Sequence, residues 1–213
     1  TPFYCVLNMS TVECYLNAVF DAPEGSIYHS VVNIIRGMYG CRERYFKEEE
    51  GNFKLTGDYK SGIRSSEARL IVPEDRTFTI KYLGRKLPQG STAASARAVA
   101  LMKSKENLGD FLLSLGYRKV AHLNKEGFIF ESKEQDFCVK CYNIKFVNRS
   151  QDGYVERTLD LHTGKLADKT DDEPKSYIME ISGFCHSNDV ETFTKKLSDF
   201  SQHLQPYITF ESQ

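Results

Sequence analysis

The chain has no tryptophan and no surplus of either charge: 28 lysines and arginines stand against 29 aspartates and glutamates, a formal net charge of -1. A surface that grips phosphate backbones carries a clear basic excess, so nucleic acid is not the expected direct ligand. No stretch approaches the roughly 18 consecutive apolar residues that take a helix across a bilayer. The five histidines are scattered, and the sequence holds no HExxH pair, no GxSxG elbow and no Walker-type phosphate loop. Cysteines are few, at positions 5, 14, 41, 138, 141 and 185, in a chain that is not small, with no signal-peptide core ahead of them. Reduced thiols, as in the cytosol or nucleus, are expected. The opening Thr1-Pro2, without methionine, is expected of a trimmed chain, so a targeting segment can lie outside it.

What is present suits one self-sufficient domain. A chain of 213 residues is within the range of single barrels and buries enough surface on folding to need no metal or disulfide. Between Val12 and Phe20, apolar residues alternate with Glu13, Tyr15 and Asn17, the period of a half-buried strand. Ser26 is placed to cap a helix carrying Ile27, Val31, Ile34, Ile35 and Met38, with Gly40 as its stop. Three β segments follow, around Phe53 to Tyr59, Ala68 to Val72 and Phe78 to Leu83, and Thr92 to Lys103 reads as a further strand. Ser104 is placed to cap a second helix with Leu108, Phe111, Leu112 and Leu115 on one face and Gly116 at its end.

Arg118 to Leu123, Gly127 to Glu131 and Asp136 to Val147 read as strands, with hairpin turns at Asn124 to Glu126 and Ser132 to Gln135. Residues 149–175, polar and aperiodic, read as an exposed, flexible insertion, although Leu159, Leu161 and Leu166 are compatible with a short hairpin. Tyr177 to Phe184 is a strong strand. Asn188 and Glu191 suggest a capping box for a third helix with Val190, Phe193, Leu197, Phe200 and Leu204 as its buried stripe, Pro206 as its stop and Tyr207 to Glu211 as a last strand. Many short strands and three helices without βαβ alternation predict an α+β fold, mainly antiparallel, in which the sheet closes into a barrel with helices packed against it.

Cys138 and Cys141 have the spacing of a metal or redox pair, but they lie on an alternating strand, Phe137 to Phe146, where they point to opposite faces. A structural role is expected of them. Cys185 and His186 are adjacent and point apart, so they make no nucleophile and base pair. Gly37 to Gly40 reads as a helix end and Gly84 to Gly90 as a turn; Lys47 to Glu50 and Asp168 to Glu173 read as solvated charge runs. Twelve tyrosines and 14 phenylalanines supply rings for a core or for a protein interface.

Taken in order, Glu13 to Phe20 with the helix through Met38, Phe78 to Gly84 (FTIKYLG), Ser104 to Tyr117 (SKENLGDFLLSLGY), Gly127 to Phe130, Val139 to Phe146 (VKCYNIKF), Ser176 to Ser182 (SYIMEIS) and the last helix through Leu204-Gln205-Pro206 resemble the subunit 18 family of the Mediator head module. The match spans most of the chain but not Cys41 to Asp75 or residues 149–175. The resemblance implies a closed, triphosphate-tunnel-like barrel over residues 1–213 that has no catalytic, metal or cofactor residues. It also implies a nuclear transcription coactivator subunit, paired with the related barrel of subunit 20 and tethered by a C-terminal helix of subunit 8, within the RNA polymerase II machinery. Its partner-binding residues are not named by the resemblance.

Because such barrels resemble those of triphosphate tunnel enzymes, including RNA 5′-triphosphatases, a metal-dependent triphosphatase is the alternative. That chemistry needs several carboxylates at i, i+2 and i+4 of one strand face, to hold a divalent ion. The first strand offers Glu13, Tyr15 and Asn17, and the late strand Ser176, Ile178 and Glu180, one carboxylate each. Lys81, Arg97 and Lys140 are the candidate phosphate ligands, with surface charge as their ordinary reading. The sequence therefore favours a binding protein over an enzyme.

Overall fold

The alternation at Val12 to Phe20 does build a strand, but one enclosed on both sides: Val12, Cys14 and Leu16 are buried on one face, and Glu13 and Tyr15, 5% and 6% exposed, on the other. A strand with two buried faces, one of them charged, sits in the wall of a barrel. The computed structural model describes residues 4–6, 11–21, 26–39, 41–55, 66–88, 92–131, 136–150, 153–158, 166, 176–205 and 207–210. Their elements are β1 (Tyr4–Val6), β2 (Thr11–Asp21), α1 (Ser26–Tyr39), β3 (Arg42–Leu55), β4 (Glu67–Pro73), β5 (Phe78–Lys86), β6 (Ser95–Ser104), α2 (Gly109–Ser114), β7 (Tyr117–Glu131), β8 (Phe137–Ser150), β9 (Gly153–Thr158), β10 (Ser176–His186) and α3 (Val190–Gln202).

Eight strands close an antiparallel barrel in the order β6-β2-β10-β8-β7-β3-β4-β5, with β5 pairing back onto β6. β1 and β9 lengthen the wall, β1 on the part of β6 beyond β2 and β9 on the part of β8 beyond β10.

The apolar core lies outside the wall. The outward residues of β2, β8 and β10, including Leu16, Val139, Met179 and Ile181, pack under Val31, Val32 and Ile35 of α1 and Phe193, Leu197, Phe200 and Leu204 of α3. A smaller cluster of Phe53, Ala68, Leu70 and Ile80 lies under Leu108 and Leu112 of α2. Only two positions of the second helix stripe are covered, since Phe111 and Leu115 are 43% and 48% exposed. A six-residue helix has too few turns to bury four.

Other expectations are corrected. Ser104 accepts a hydrogen bond from the Glu106 amide and so shapes a turn, while Asn107 receives the Gly109 amide at the start of α2. Gly116 does end that helix, in the left-handed region at φ 85°. A 3-10 turn, Ser187–Asp189, precedes α3, and no side chain caps it. Asn124 to Glu126 is no turn: β7 runs through it, paired with β3 over 14 registered residues with one bulge at Val120. Lys47 to Glu50 is likewise strand, with Glu50 3% exposed. Gly84 to Lys86 belong to β5, at a bulge where a Cβ on Gly84 would meet the Ala98 carbonyl at 2.8 Å. Residues 207–210 form no ladder, and Ile208 buries itself in the main cluster instead. Within the stretch read as an insertion, residues 149–150 and 153–158 are strand. Residues 132–135 and 167–175, with Asp168 to Glu173, lie outside the described residues, as do Gly40, Leu159, Leu161 and Pro206.

One glycine fixes the barrel wall between β7 and β8. A Cβ on Gly127 would stand 2.1 Å from the Cys141 carbonyl oxygen and 2.6 Å from the Tyr142 Cα, backbone atoms that cannot turn away. Gly127→Ala is expected to cost about 3 kcal/mol, an overpacking penalty at the upper end of the usual range. The check is the urea midpoint. A variant within about 0.5 kcal/mol of the parent would contradict this close approach.

Candidate functional site

The lumen is the site, and it is charged. A strand's alternate residues share a face, so the same periodicity that sends apolar side chains outward sends Glu13, Tyr15 and Asn17 of β2, Glu48 and Glu50 of β3, Arg69 of β4, Lys81 of β5, Arg97 of β6, Lys125 of β7, Lys140 of β8 and Glu180 of β10 inward. Register then sets opposite charges side by side on adjacent strands: Glu13 beside Arg97, Glu48 beside Lys125, and Glu180 beside Lys140. Arg69 and Lys81 are like charges facing each other, which is unfavourable. They are relieved by reaching different carboxylates.

Lys81 pairs with Glu13 over the intervening strand β6, and Arg69 approaches Glu50 at 3.9 Å. Lys125 donates to Glu50 at 2.6 Å, and Lys140 lies 3.6 Å from Glu48. Glu180 accepts the Tyr142 hydroxyl at 3.2 Å and the Ser182 hydroxyl at 3.0 Å. Arg97 stacks on the Tyr15 ring, 4.2 Å from its centre, and donates to its hydroxyl. Phe46, Ile129 and Tyr142 fill space between these pairs.

The electrostatics follow from this arrangement. Removal from water would raise the Glu180 carboxyl, yet the ammonium groups of Lys140, Lys125 and Lys81 and the Ser182 hydroxyl hold it down at about 2. Glu50 is likewise held low, with the loss of solvent outweighed by Lys125 and Arg69. Lys140 is desolvated too, but Glu48 and Glu180 raise it above its ordinary value. Burial, with Glu180 and Glu50 beside it, pushes the Tyr142 hydroxyl well up, so it donates and does not ionise. Glu50, Glu180, Lys140 and Arg69 keep their charged forms because opposite charges beside them outweigh the loss of solvent.

A cavity of about 470 Å³ remains, lined among others by Asn17, Glu50, Asn52, Arg69, Lys125 and Glu180. Toward the β4–β5 turn a second recess of about 330 Å³ is bounded by Arg44, Phe46, Glu48, Glu74, Asp75 and Lys140. All five charged residues singled out in the sequence, Glu13, Lys81, Arg97, Lys140 and Glu180, meet in the lumen. Sequence reading missed Glu48, Glu50, Arg69 and Lys125. Lys47 to Glu50 and Asn124 to Glu126 carry no apolar alternation to mark an inward face, so they read as a solvated charge run and a turn until a closed barrel is in view.

Cys138 faces the lumen side and Cys141 the outer core, so they stand on opposite faces as their spacing requires. Cys185 is half-buried on the outer face and His186 is exposed. Ser176 donates to Asp21 at 2.8 Å, away from the other lumen groups. Among the described residues, no three His, Cys, Asp or Glu side chains converge as metal ligands.

No family model matches the sequence, and no curated protein matches it. Solved structures do match. A chain of the Schizosaccharomyces pombe Mediator head module superposes with a TM-score of 0.62 at 12% identity, covering 94% of this chain and 98% of that one. The Pyrococcus horikoshii protein PH1819 gives 0.55 at 11% identity, covering 93% and 94%. HpAC1 from Hippeastrum, with a dominant triphosphatase activity, gives 0.51 at 9% identity, covering 94% and 90%. At these identities the likeness is one of fold: the chain shares its barrel with both kinds of protein.

Glu180 sets a pH test. Its folded value of about 2 lies below the ordinary carboxyl value of 4.5. Its contribution to stability is therefore complete above about pH 4.5 and is lost as pH falls toward 2. Glu180→Gln is expected to destabilise the chain by about 3 kcal/mol at pH 7, because Lys140, Lys125 and Lys81 lose a carboxylate that offsets their charge and the lumen is left with more buried cations than carboxylates. The variant's stability should also fall less steeply than the parent's between about pH 5 and pH 2. Denaturant titrations at a series of pH values check both, and parallel curves would remove Glu180 from the network.

Proposed function

We propose that this chain is a non-catalytic subunit of the Mediator head module, acting in the nucleus as a protein-binding barrel. In this reading it pairs with the related barrel of subunit 20 and takes a C-terminal helix of subunit 8. The observation that carries the reading is the state of the lumen: its carboxylates are engaged one by one, by Lys81, by Lys125 and Arg69, by Lys140, and by the Tyr142 and Ser182 hydroxyls. A carboxylate already neutralised by a lysine has little charge to offer a divalent ion, and the lumen carboxylates, one on β2, one on β10 and the pair Glu48 and Glu50 on β3, do not converge as a set of three among the described residues. The likeness of fold to a Mediator head chain over 94% of this chain supports the same reading, as does the order of the sequence stretches that resemble subunit 18.

Protein partners have an outer surface to use. Phe111, Leu113 and Leu115 of α2 and Val120 of β7 are all between 43% and 55% exposed. Large apolar side chains left exposed within the stretch from Phe111 to Val120 are available to a protein partner.

The runner-up is a metal-dependent triphosphatase, favoured by the cationic side chains of the lumen and by the fold shared with HpAC1. It predicts phosphate release from triphosphorylated RNA or nucleotide with magnesium or manganese, abolished by Glu13→Ala or Glu180→Ala. On the Mediator reading no such turnover occurs. Co-expression with subunit 20 and the C-terminal segment of subunit 8 instead yields a complex by size-exclusion chromatography with light scattering. Phe111→Asp with Leu115→Asp is expected to weaken that complex roughly tenfold or more, the loss typical of buried anchor residues. A chain that stays monomeric beside both partners would overturn the proposal.

A further inference from the structure

The helix-covered face of the wall brings together two thiols that play no part in the lumen. Cys14 of β2 stands opposite Gly183 of β10, and Cys185 opposite Val12, so the two cysteines are diagonal neighbours on one face of adjacent antiparallel strands. Their sulfurs are 3.6 Å apart, and both are free thiols. Cys14 is fully buried, while Cys185 reaches solvent in part. The space opposite Cys14 is taken by the Phe193 ring of α3, which would stand 2.7 Å from a Cβ on Gly183, so β10 presents no side chain there except Cys185 one pleat on. Cys138 and Cys141 lie on opposite faces, and the Cys41 thiol donates to the Ile35 carbonyl.

We propose that Cys14 and Cys185 form a reversible disulfide when the chain meets a low-molecular-weight disulfide such as oxidised glutathione. Cys185, the accessible sulfur, gives up its proton and attacks one glutathione sulfur. The glutathione S–S bond breaks, and one glutathione thiolate leaves and is protonated. Cys14 then gives up its proton and attacks the Cys185 sulfur, expelling the second glutathione. Two protein thiols are oxidised by two electrons and one glutathione disulfide is reduced to two thiols.

Bond formation asks the sulfurs to close from 3.6 Å to about 2.05 Å. Cys185 is the penultimate residue of β10, just before the 3-10 turn, where the strand end has room for that approach. Burial pushes both thiols up, with Cys14 the further displaced, so the exchange is slow at neutral pH and faster in mild alkali. The bond joins residues far apart in sequence and constrains the unfolded chain strongly.

The test incubates the full chain with oxidised glutathione at about pH 8, near the ordinary thiol value, alkylates the remaining thiols and maps the peptides by mass spectrometry. The expected product is a Cys14–Cys185 peptide pair, with a melting temperature about 5 °C or more above that of the reduced chain, reversed by dithiothreitol. Cys14→Ala is expected to stop at glutathione on Cys185, and Cys185→Ser to show neither product nor shift. Full alkylation of Cys14 and Cys185 after the oxidant in the wild type would overturn the proposal. So would glutathione retained on wild-type Cys185, or a shift that persists in Cys185→Ser.

Discussion

Every other feature of this fold depends on the mutual neutralisation of charges inside the barrel. An ion taken out of water costs several kcal/mol unless an opposite charge and hydrogen bonds compensate it. The lumen carboxylates meet that condition through Lys81, Lys125, Arg69, Lys140 and two hydroxyls. The condition constrains register more tightly than an apolar interior would. Slipping β3 by one residue against β7 would turn Glu48 and Glu50 outward and leave Lys125 alone in the lumen. Two penalties then act together, an uncompensated buried cation and acidic side chains forced into the outer core.

A lumen filled with ions cannot serve as the hydrophobic core, so the core moves to the other side of the wall. That relocation explains the helices. α1 and α3 cover the outward face of β2, β8 and β10, and α2 covers the outward face of β4 and β5. The coverage is unequal: α3 buries Phe193, Leu197 and Phe200, while the short α2 leaves Phe111 and Leu113, and Leu115 just past its end, exposed. The same relocation puts Cys14 and Cys185 on the helix side, away from the lysines of the lumen.

Legibility in the sequence follows these physics. β2, β10, α1 and α3 could be read because each carries one uninterrupted periodicity, two for the strands and 3.6 for the helices. β3 and the middle of β7 could not, because a strand whose inward face is charged and whose partner is far along the chain looks like a solvated loop. Glu50 and Lys125 are 75 residues apart, and only barrel closure makes them neighbours. Lumen members on well-read strands, Glu13, Lys81, Arg97, Lys140 and Glu180, were recoverable and those on misread strands were not; Arg69 was missed although β4 was read, because a lone charge on the polar face of a short strand looks solvent-facing. Capping was misread for a similar reason, since Ser104 and Asn188 have the right side chains but the chain enters α2 and α3 through turns that leave those oxygens elsewhere.

The neutralised lumen also bears on what such a barrel is able to do. A tunnel that handles a highly charged substrate needs unspent charge at the point where substrate or metal arrives, and catalysis draws on groups whose interactions strengthen only in the transition state. Here each inward carboxylate already has a cation or hydroxyl partner in the folded chain, Lys140 and Glu180 are fixed in their ionised forms by each other and by their neighbours, and Arg97 is held on the Tyr15 ring and hydroxyl. To engage a ligand, the lumen would have to break pairs that specify its own register. On the proposed binding role, the interior serves to hold the wall in place and recognition falls to the outside, where Phe111 and Leu113 of α2 are exposed.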